Sequence, residues 1–150
     1  MQIGVIGPGD CAPDVEQLAE EVGREVARRG AVLVCGGLGG VMRGAARGAK
    51  AEGGLTLGIV PGDRASTAND FIDIVVPTGM GEARNALVVR ASDVIVAVHG
   101  GYGTLSEIAL ALKAGIPVVG LETWQVSDEV IVARGPEQAV TLALRALEHR

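Results

Sequence analysis

Asp93-Val94-Ile95-Val96-Ala97-Val98 runs straight into His99-Gly100-Gly101-Tyr102-Gly103-Thr104-Leu105-Ser106-Glu107, and this junction decides the fold. The first part is apolar and β-branched and reads as a buried strand. The glycines interrupt it, and Thr104–Ala114 then carries a helical pattern. A strand that breaks into glycines and re-emerges as a helix is half of a βαβ unit. The same junction carries chemistry. Glycine lets a ligand approach the backbone closely, and a helix start presents unpaired N–H groups and a partial positive charge. Together they form an anion seat.

The pattern recurs upstream. Ala31–Cys35 reads as a strand that ends in Gly36-Gly37-Leu38-Gly39-Gly40, followed by a small-residue helix over Gly40–Glu52. Glycine in ordered structure costs about 1 kcal/mol relative to alanine. A turn needs one or two, so the excess points to a second seat for a ligand. Ile3–Ile6 is a third such strand. It leads into Gly7-Pro8-Gly9-Asp10-Cys11-Ala12 and a helix over Pro13–Arg29, with Val15, Leu18, Val22 and Val26 on one face. This turn fits the spacing of a dinucleotide fingerprint. The fingerprint also needs an acidic residue at the end of the second strand, and Cys35-Gly36-Gly37 supplies none. Gly7 is therefore read as part of a tight turn lining the cleft, not as an NAD site.

The remaining apolar runs continue the alternation. Leu55–Val60, Phe71–Val76, Ile116–Leu121 and Glu129–Ala133 read as strands; Gly81–Ala91 and Pro136–His149 read as helices. The last helix has Ala139, Leu142, Leu144 and Leu147 as its apolar residues. Pro61–Asp70 is a polar loop suited to a lid. These elements predict one domain over residues 1–150: a Rossmann-like three-layer α/β/α fold with a mostly parallel sheet. Ligands of such sheets bind beyond the carboxyl ends of the strands. Both glycine clusters fall there, which predicts one shared cleft for a small phosphorylated molecule.

Within that cleft, the Thr104 hydroxyl can donate to a phosphate at the helix start. Glu107 lies one turn further on the same helix. Arg84 follows a glycine-containing segment and is placed to enter the cleft, whereas Arg90 suits the far end of its helix. Bulk composition narrows the partners. The 150 residues carry a net charge of −5 with no basic block, which argues against a nucleic acid polymer. Aromatics are 2% of a chain that is 48% hydrophobic, and Phe71, Tyr102 and Trp124 are the whole set. Cys11 and Cys35 are too few for a disulfide framework and read as reduced thiols of a cytoplasmic protein. No signal peptide is expected before the first strand, and no apolar run is long enough to span a membrane. No metal-ligand spacing, nucleophile elbow or Walker lysine is present.

Gly36-Gly37…Gly40-Val41-Met42, Glu82-Ala83-Arg84-Asn85 and Gly100-Gly101-Tyr102-Gly103-Thr104-Leu105-Ser106-Glu107 resemble the LOG-like (SLOG) superfamily. It includes the Lonely Guy cytokinin-activating phosphoribohydrolases, the molybdenum-cofactor carrier protein and proteins labelled as lysine decarboxylases. The resemblance implies a ligand site at Gly36, Gly37, Gly40, Met42, Arg84, Gly100, Gly101, Gly103, Thr104 and Glu107. In an enzyme of this type, Arg84 and Glu107 are the catalytic pair, and the reaction is cleavage of the N-glycosidic bond of a nucleoside 5′-monophosphate. Asn85 stands where those enzymes usually carry lysine, and His99 where they carry proline. The Glu-Ala-Arg-Asn segment and the Leu-Ser-Glu-Ile-Ala-Leu helix look closer to the carrier branch. That likeness implies a protein that binds molybdenum cofactor as a ligand, needs no cofactor of its own and assembles as a homodimer or homotetramer. A pyridoxal-phosphate decarboxylase needs a Schiff-base lysine. Lys50 and Lys113 lie late in their helices, away from the cleft, so that activity is rejected.

Overall fold

The computed structural model describes residues 1–150. Seven strands are formed: β1 (Gln2–Ile6), β2 (Val32–Cys35), β3 (Thr56–Val60), β4 (Ile74–Pro77), β5 (Val94–Val98), β6 (Val118–Leu121) and β7 (Ile131–Val132). They make one sheet in the order β4-β3-β2-β1-β5-β6-β7, with every neighbouring pair parallel. Five helices connect them: α1 (Pro13–Arg28), α2 (Val41–Ala51), α3 (Arg84–Arg90), α4 (Tyr102–Lys113) and α5 (Pro136–Glu148). Helices α1, α2 and α5 share one core with Ile3, Val5, Leu33 and Val96. The opposite face packs Val88 and Val89 of α3 and Ile108 and Ala111 of α4 against Ile6, Val34 and Ile95. This is the three-layer Rossmann-like arrangement that the alternating pattern predicts, and the sheet is parallel throughout.

Differences from expectation fall at element edges and faces. The fourth strand begins at Ile74 rather than Phe71, because Phe71 and Ile72 give their N–H groups to Asn69 in a turn and backbone bonding to β3 starts only at Asp73. The segment Gly81–Ala83 is a single 3-10 turn, and α-helix starts only at Arg84. In α5 the buried residues are Ala139, Val140 and Ala143, while Leu142, Leu144 and Leu147 pack around the edge of the core. The small residues sit against the sheet because only they allow the helix to approach it.

Close approach is most evident between α1 and α2. A Cβ at Gly23 would overlap the Ala45 carbonyl, and one at Gly48 would overlap the Glu20 carbonyl. Around this seam Glu16 pairs with Arg43 and Arg47, and Glu20 with Arg24 and Arg47, at 3.0–3.4 Å. These pairs are partly exposed and each contributes little; the backbone contact sets the geometry. Gly48→Ala is therefore expected to lower the unfolding free energy by about 2 kcal/mol or more, despite alanine's better helix propensity. Urea unfolding of the variant would show this, and an unchanged midpoint would contradict the packing account.

Candidate functional site

Strand order reverses at β1: β2 lies on one side of it and β5 on the other. Such reversals leave a crevice at the carboxyl ends of the strands. A cavity of about 520 Å³ opens there. Its walls come from Ile6–Gly9 after β1, Gly36 and Leu38 after β2, Met42 on α2, Arg84 and Asn85 on α3, and Gly101, Gly103, Thr104 and Glu107 at the start of α4. Eight of the predicted residues, Gly7, Gly36, Met42, Arg84, Gly101, Gly103, Thr104 and Glu107, thus face one cavity. Gly37, Gly40 and Gly100 are not among its walls.

The glycines divide by cause. Gly37 and Gly40 have φ of 76° and 60°, a backbone shape that favours glycine. A Cβ at Gly40 would also strike Pro8 O, and one at Gly7 would strike the Val41 side chain and Val98 O. Gly36 leaves room for the Arg84 guanidinium, whose Cζ would lie 2.7 Å from a Cβ there. Gly100 makes room for the Trp124 indole. Gly101 and Gly103 are different. Neither has positive φ; a Cβ at Gly101 meets nothing within 4 Å, and one at Gly103 meets only Asn85 Nδ2 at 3.8 Å. No protein atom requires glycine at either position.

The two helix starts also differ. The Val41 N–H of α2 is already given to Pro8 O at 3.0 Å. At α4 the first bond runs from Leu105 N–H to Gly101 O, so Tyr102, Gly103 and Thr104 N–H all lack an acceptor, against Met42 and Arg43 alone at α2. The stronger anion seat is therefore α4.

Two charged side chains are buried in this cavity. Arg84 is 8% exposed and Glu107 6%. Arg84 Nη1 donates to Asn85 Oδ1 at 2.8 Å, and its Nε is buried with no partner. Burial pushes the Glu107 carboxyl up to about 7, opposed by the Arg84 charge. Burial likewise lowers the Arg84 pKa, opposed by Glu107. Each group feels the other, but desolvation outweighs their attraction in both. Beneath them the Cys35 thiol is fully buried and held neutral, its pKa raised to about 11.

Asn85, Pro8, Gly9, Leu38 and Pro61 line the cavity without having been singled out as site residues. Asn85 closes the Glu82-Ala83-Arg84-Asn85 motif and stands where the related enzymes carry lysine, and that motif position was its signal. Asn69 acts from behind: its Nδ2 donates to Leu38 O at 2.8 Å and its backbone N–H to Gly37 O at 2.8 Å. The polar 61–70 loop thereby braces the first glycine turn. Lys50 binds Gly54 O and Asp73, away from the cavity.

A family model described as the SLOG cluster4 family matches residues 1–147. The chain belongs to that family. This SLOG domain is 47% identical over 144 residues to an uncharacterized protein of Archaeoglobus fulgidus, covering 96% of this chain and 95% of the relative. It is 35% identical over 119 residues to the cytokinin riboside 5′-monophosphate phosphoribohydrolase of Mycobacterium tuberculosis, covering 72% of this chain and 63% of that enzyme. Among solved structures, the molybdenum cofactor binding protein of Rippkaea orientalis superposes with a TM-score of 0.91 at 39% identity, covering 96% and 95% of the two chains. The Moco carrier protein of Chlamydomonas reinhardtii gives 0.90 at 39% identity, covering 99% and 98%.

Gly103→Ala is expected to leave the fold intact or stabilise it by up to about 1 kcal/mol. It is also expected to weaken phosphate-ligand binding at least tenfold. Thermal unfolding and calorimetric titration with AMP read the two effects, and undiminished binding would remove the assigned role.

A second prediction concerns pH. Below the ordinary carboxylate range, near 4.5, Glu107 is protonated in both folded and unfolded chains. Between about 4.5 and 7 the unfolded chain releases this proton and the folded chain keeps it. Stability therefore falls as pH rises through that window, by an amount on the order of 3 kcal/mol. Glu107→Gln should remove that fall. Urea midpoints of both proteins at pH 5, 6, 7 and 8 measure it; parallel profiles would refute the assignment.

Proposed function

We propose that this SLOG domain binds a small phosphorylated heterocycle, of nucleotide or molybdenum-cofactor type, and carries it without turning it over. One observation carries the reading. The open start of α4, bare at Gly101 and Gly103 and flanked by the Thr104 hydroxyl, shares a cavity with Arg84, whose buried guanidinium is short of hydrogen-bond partners. Free N–H groups, a hydroxyl and a guanidinium are the donors that a phosphate monoester needs. Glu107, whose pKa of about 7 leaves it protonated much of the time at neutral pH, can donate to the ligand instead of repelling it. The carrier proteins of similar fold support cargo binding. No cluster of three His, Cys, Asp or Glu side chains is built to hold a metal ion. In this reading the grip on a metal-bearing cargo falls on its phosphate and ring.

A second reading is hydrolysis of the N-glycosidic bond of a nucleoside 5′-monophosphate. The buried Arg84–Glu107 pair favours it, as does the mycobacterial relative. As a carboxylate, Glu107 would stabilise positive charge growing on the sugar while water adds to the anomeric carbon and the base departs with a proton. Arg84 would hold the phosphate. Its Nη1 is already committed to Asn85, which suits holding better than proton transfer.

Apolar side chains left in water at Ile74, Val76, Met80 and Leu87 support assembly as a homodimer or homotetramer. Native mass spectrometry of protein taken directly from cells reads both the copy number and any co-purified ligand. Calorimetry with AMP, inorganic phosphate and molybdenum cofactor is expected to give one site per chain for at least one of them. Binding of none would end the carrier reading. No free base should be released from AMP. If base is released, and Glu107→Ala abolishes release while phosphate still binds, the hydrolase reading replaces it.

A further inference from the structure

A second crevice lies across the glycine strand from the main cavity. It measures about 180 Å³ and is lined by Gly100, Glu122, Thr123 and Trp124. Two of the chain's three aromatic rings meet at its rim. Tyr102 and Trp124 stack with centroids 6.2 Å apart and planes at 24°. Tyr102 is 85% exposed, so an aromatic surface is left in water beside the candidate site.

This crevice is held in place from several directions. The Trp124 indole N–H donates to Gly101 O at 3.1 Å, and the Thr123 hydroxyl donates to His99 O at 2.6 Å. His99 Nε2 lies 2.6 Å from Glu122 Oε2. His99 and Glu122 are also the only non-glycine residues with positive φ, at 52° and 53°. Such backbone costs energy and persists where the surroundings impose it, often at ligand clamps. The His99 contact uses one oxygen of Glu122, and that side chain is 70% exposed, so its acceptor capacity is not exhausted.

Gly101 lies between the two cavities, next to the Gly100 that lines the second. It lines the main one, its carbonyl anchors Trp124, and its Cβ position faces open space. A ligand with its phosphate at α4 can cross this bare residue to reach the aromatic rim. An aromatic face beside an outward carboxylate best matches a ring edge with two adjacent N–H donors. It is an amino-oxo pyrimidine edge, which presents adjacent ring N–H and NH₂ donors and is shared by guanine and pterin. Adenine lacks the ring N–H on that edge.

We infer that Tyr102, Trp124 and Glu122 form the ring subsite of this domain and select a guanine- or pterin-type heterocycle over adenine. The inference rests on the phosphate reading of the main cavity. Trp124 is the only tryptophan, so its emission reports on the subsite directly. The test titrates the full chain with GMP, neopterin monophosphate, AMP and ribose 5-phosphate, following fluorescence and heat. At least one amino-oxo probe is expected to bind about tenfold more tightly than AMP and to quench Trp124, and the tighter of the two identifies the ring. Glu122→Gln should erase the preference over AMP. Tyr102→Ala, at a position too exposed to endanger the fold, should weaken the ring-bearing probe about tenfold. Ribose 5-phosphate reports on the main cavity alone. If it binds but no preference over AMP exists, or the preference survives Glu122→Gln, the ring subsite is wrong and the phosphate seat stands. If none of the four binds, both are wrong.

Discussion

The reversal of strand order beside β1 governs this molecule. In a parallel sheet each strand must hand its chain to a helix on one face, and the two halves of this sheet grow outward from β1 in opposite directions. The connections after β1 and β2 lead to α1 and α2 on one face, while the connection after β5 leads to α4 on the other. Backbone diverges at that point and cannot fill the space between. A cavity is thus the consequence of topology, and what sequence decides is how it is lined. Small residues line much of it, because a larger side chain after β1, β2 or β5 would occupy the gap that the topology creates.

Much of this was legible from residue patterns, for a physical reason. Buried parallel strands are apolar on both faces, so Ile3–Ile6 and Asp93–Val98 stand out without reference to anything distant. The glycine excess was legible too, and it points to the carboxyl ends of β2 and β5. What a single chain cannot disclose is why each glycine is there. Gly100 and Gly101 are neighbours with opposite explanations: one admits the Trp124 indole, the other meets nothing. The distinction depends on an atom more than twenty positions away. Asn69, which ties the 61–70 loop to Gly37 and Leu38, was hidden for the same reason. The apolar residues of α5 did not disclose which of them would be buried, because hydropathy favours its leucines whereas proximity to a sheet selects Ala139, Val140 and Ala143.

The Arg84–Glu107 pair gives the cavity its character. Burying a guanidinium and a carboxyl together is favourable only when hydrogen bonds and charge pairing repay the lost hydration. Here neither is complete. Arg84 has an unused Nε, and burial raises the Glu107 pKa to about 7, so near neutrality much of it keeps its proton. A site of this kind is unfinished in isolation: its positive charge lacks a full partner, and its acid holds a proton it can donate.

In the proposed reading, an anionic ligand completes both. A phosphate placed at the start of α4 supplies the negative charge that Arg84 lacks and the acceptors that Thr104 and a protonated Glu107 require. The same proton therefore couples folding and recognition. Ionisation of Glu107 would strengthen its attraction to Arg84 while setting a second negative charge beside a bound phosphate, so in the proposed reading Glu107 and the ligand would compete for one guanidinium. Desolvation would tip that competition towards the ligand, through the buried walls that the sheet reversal provides.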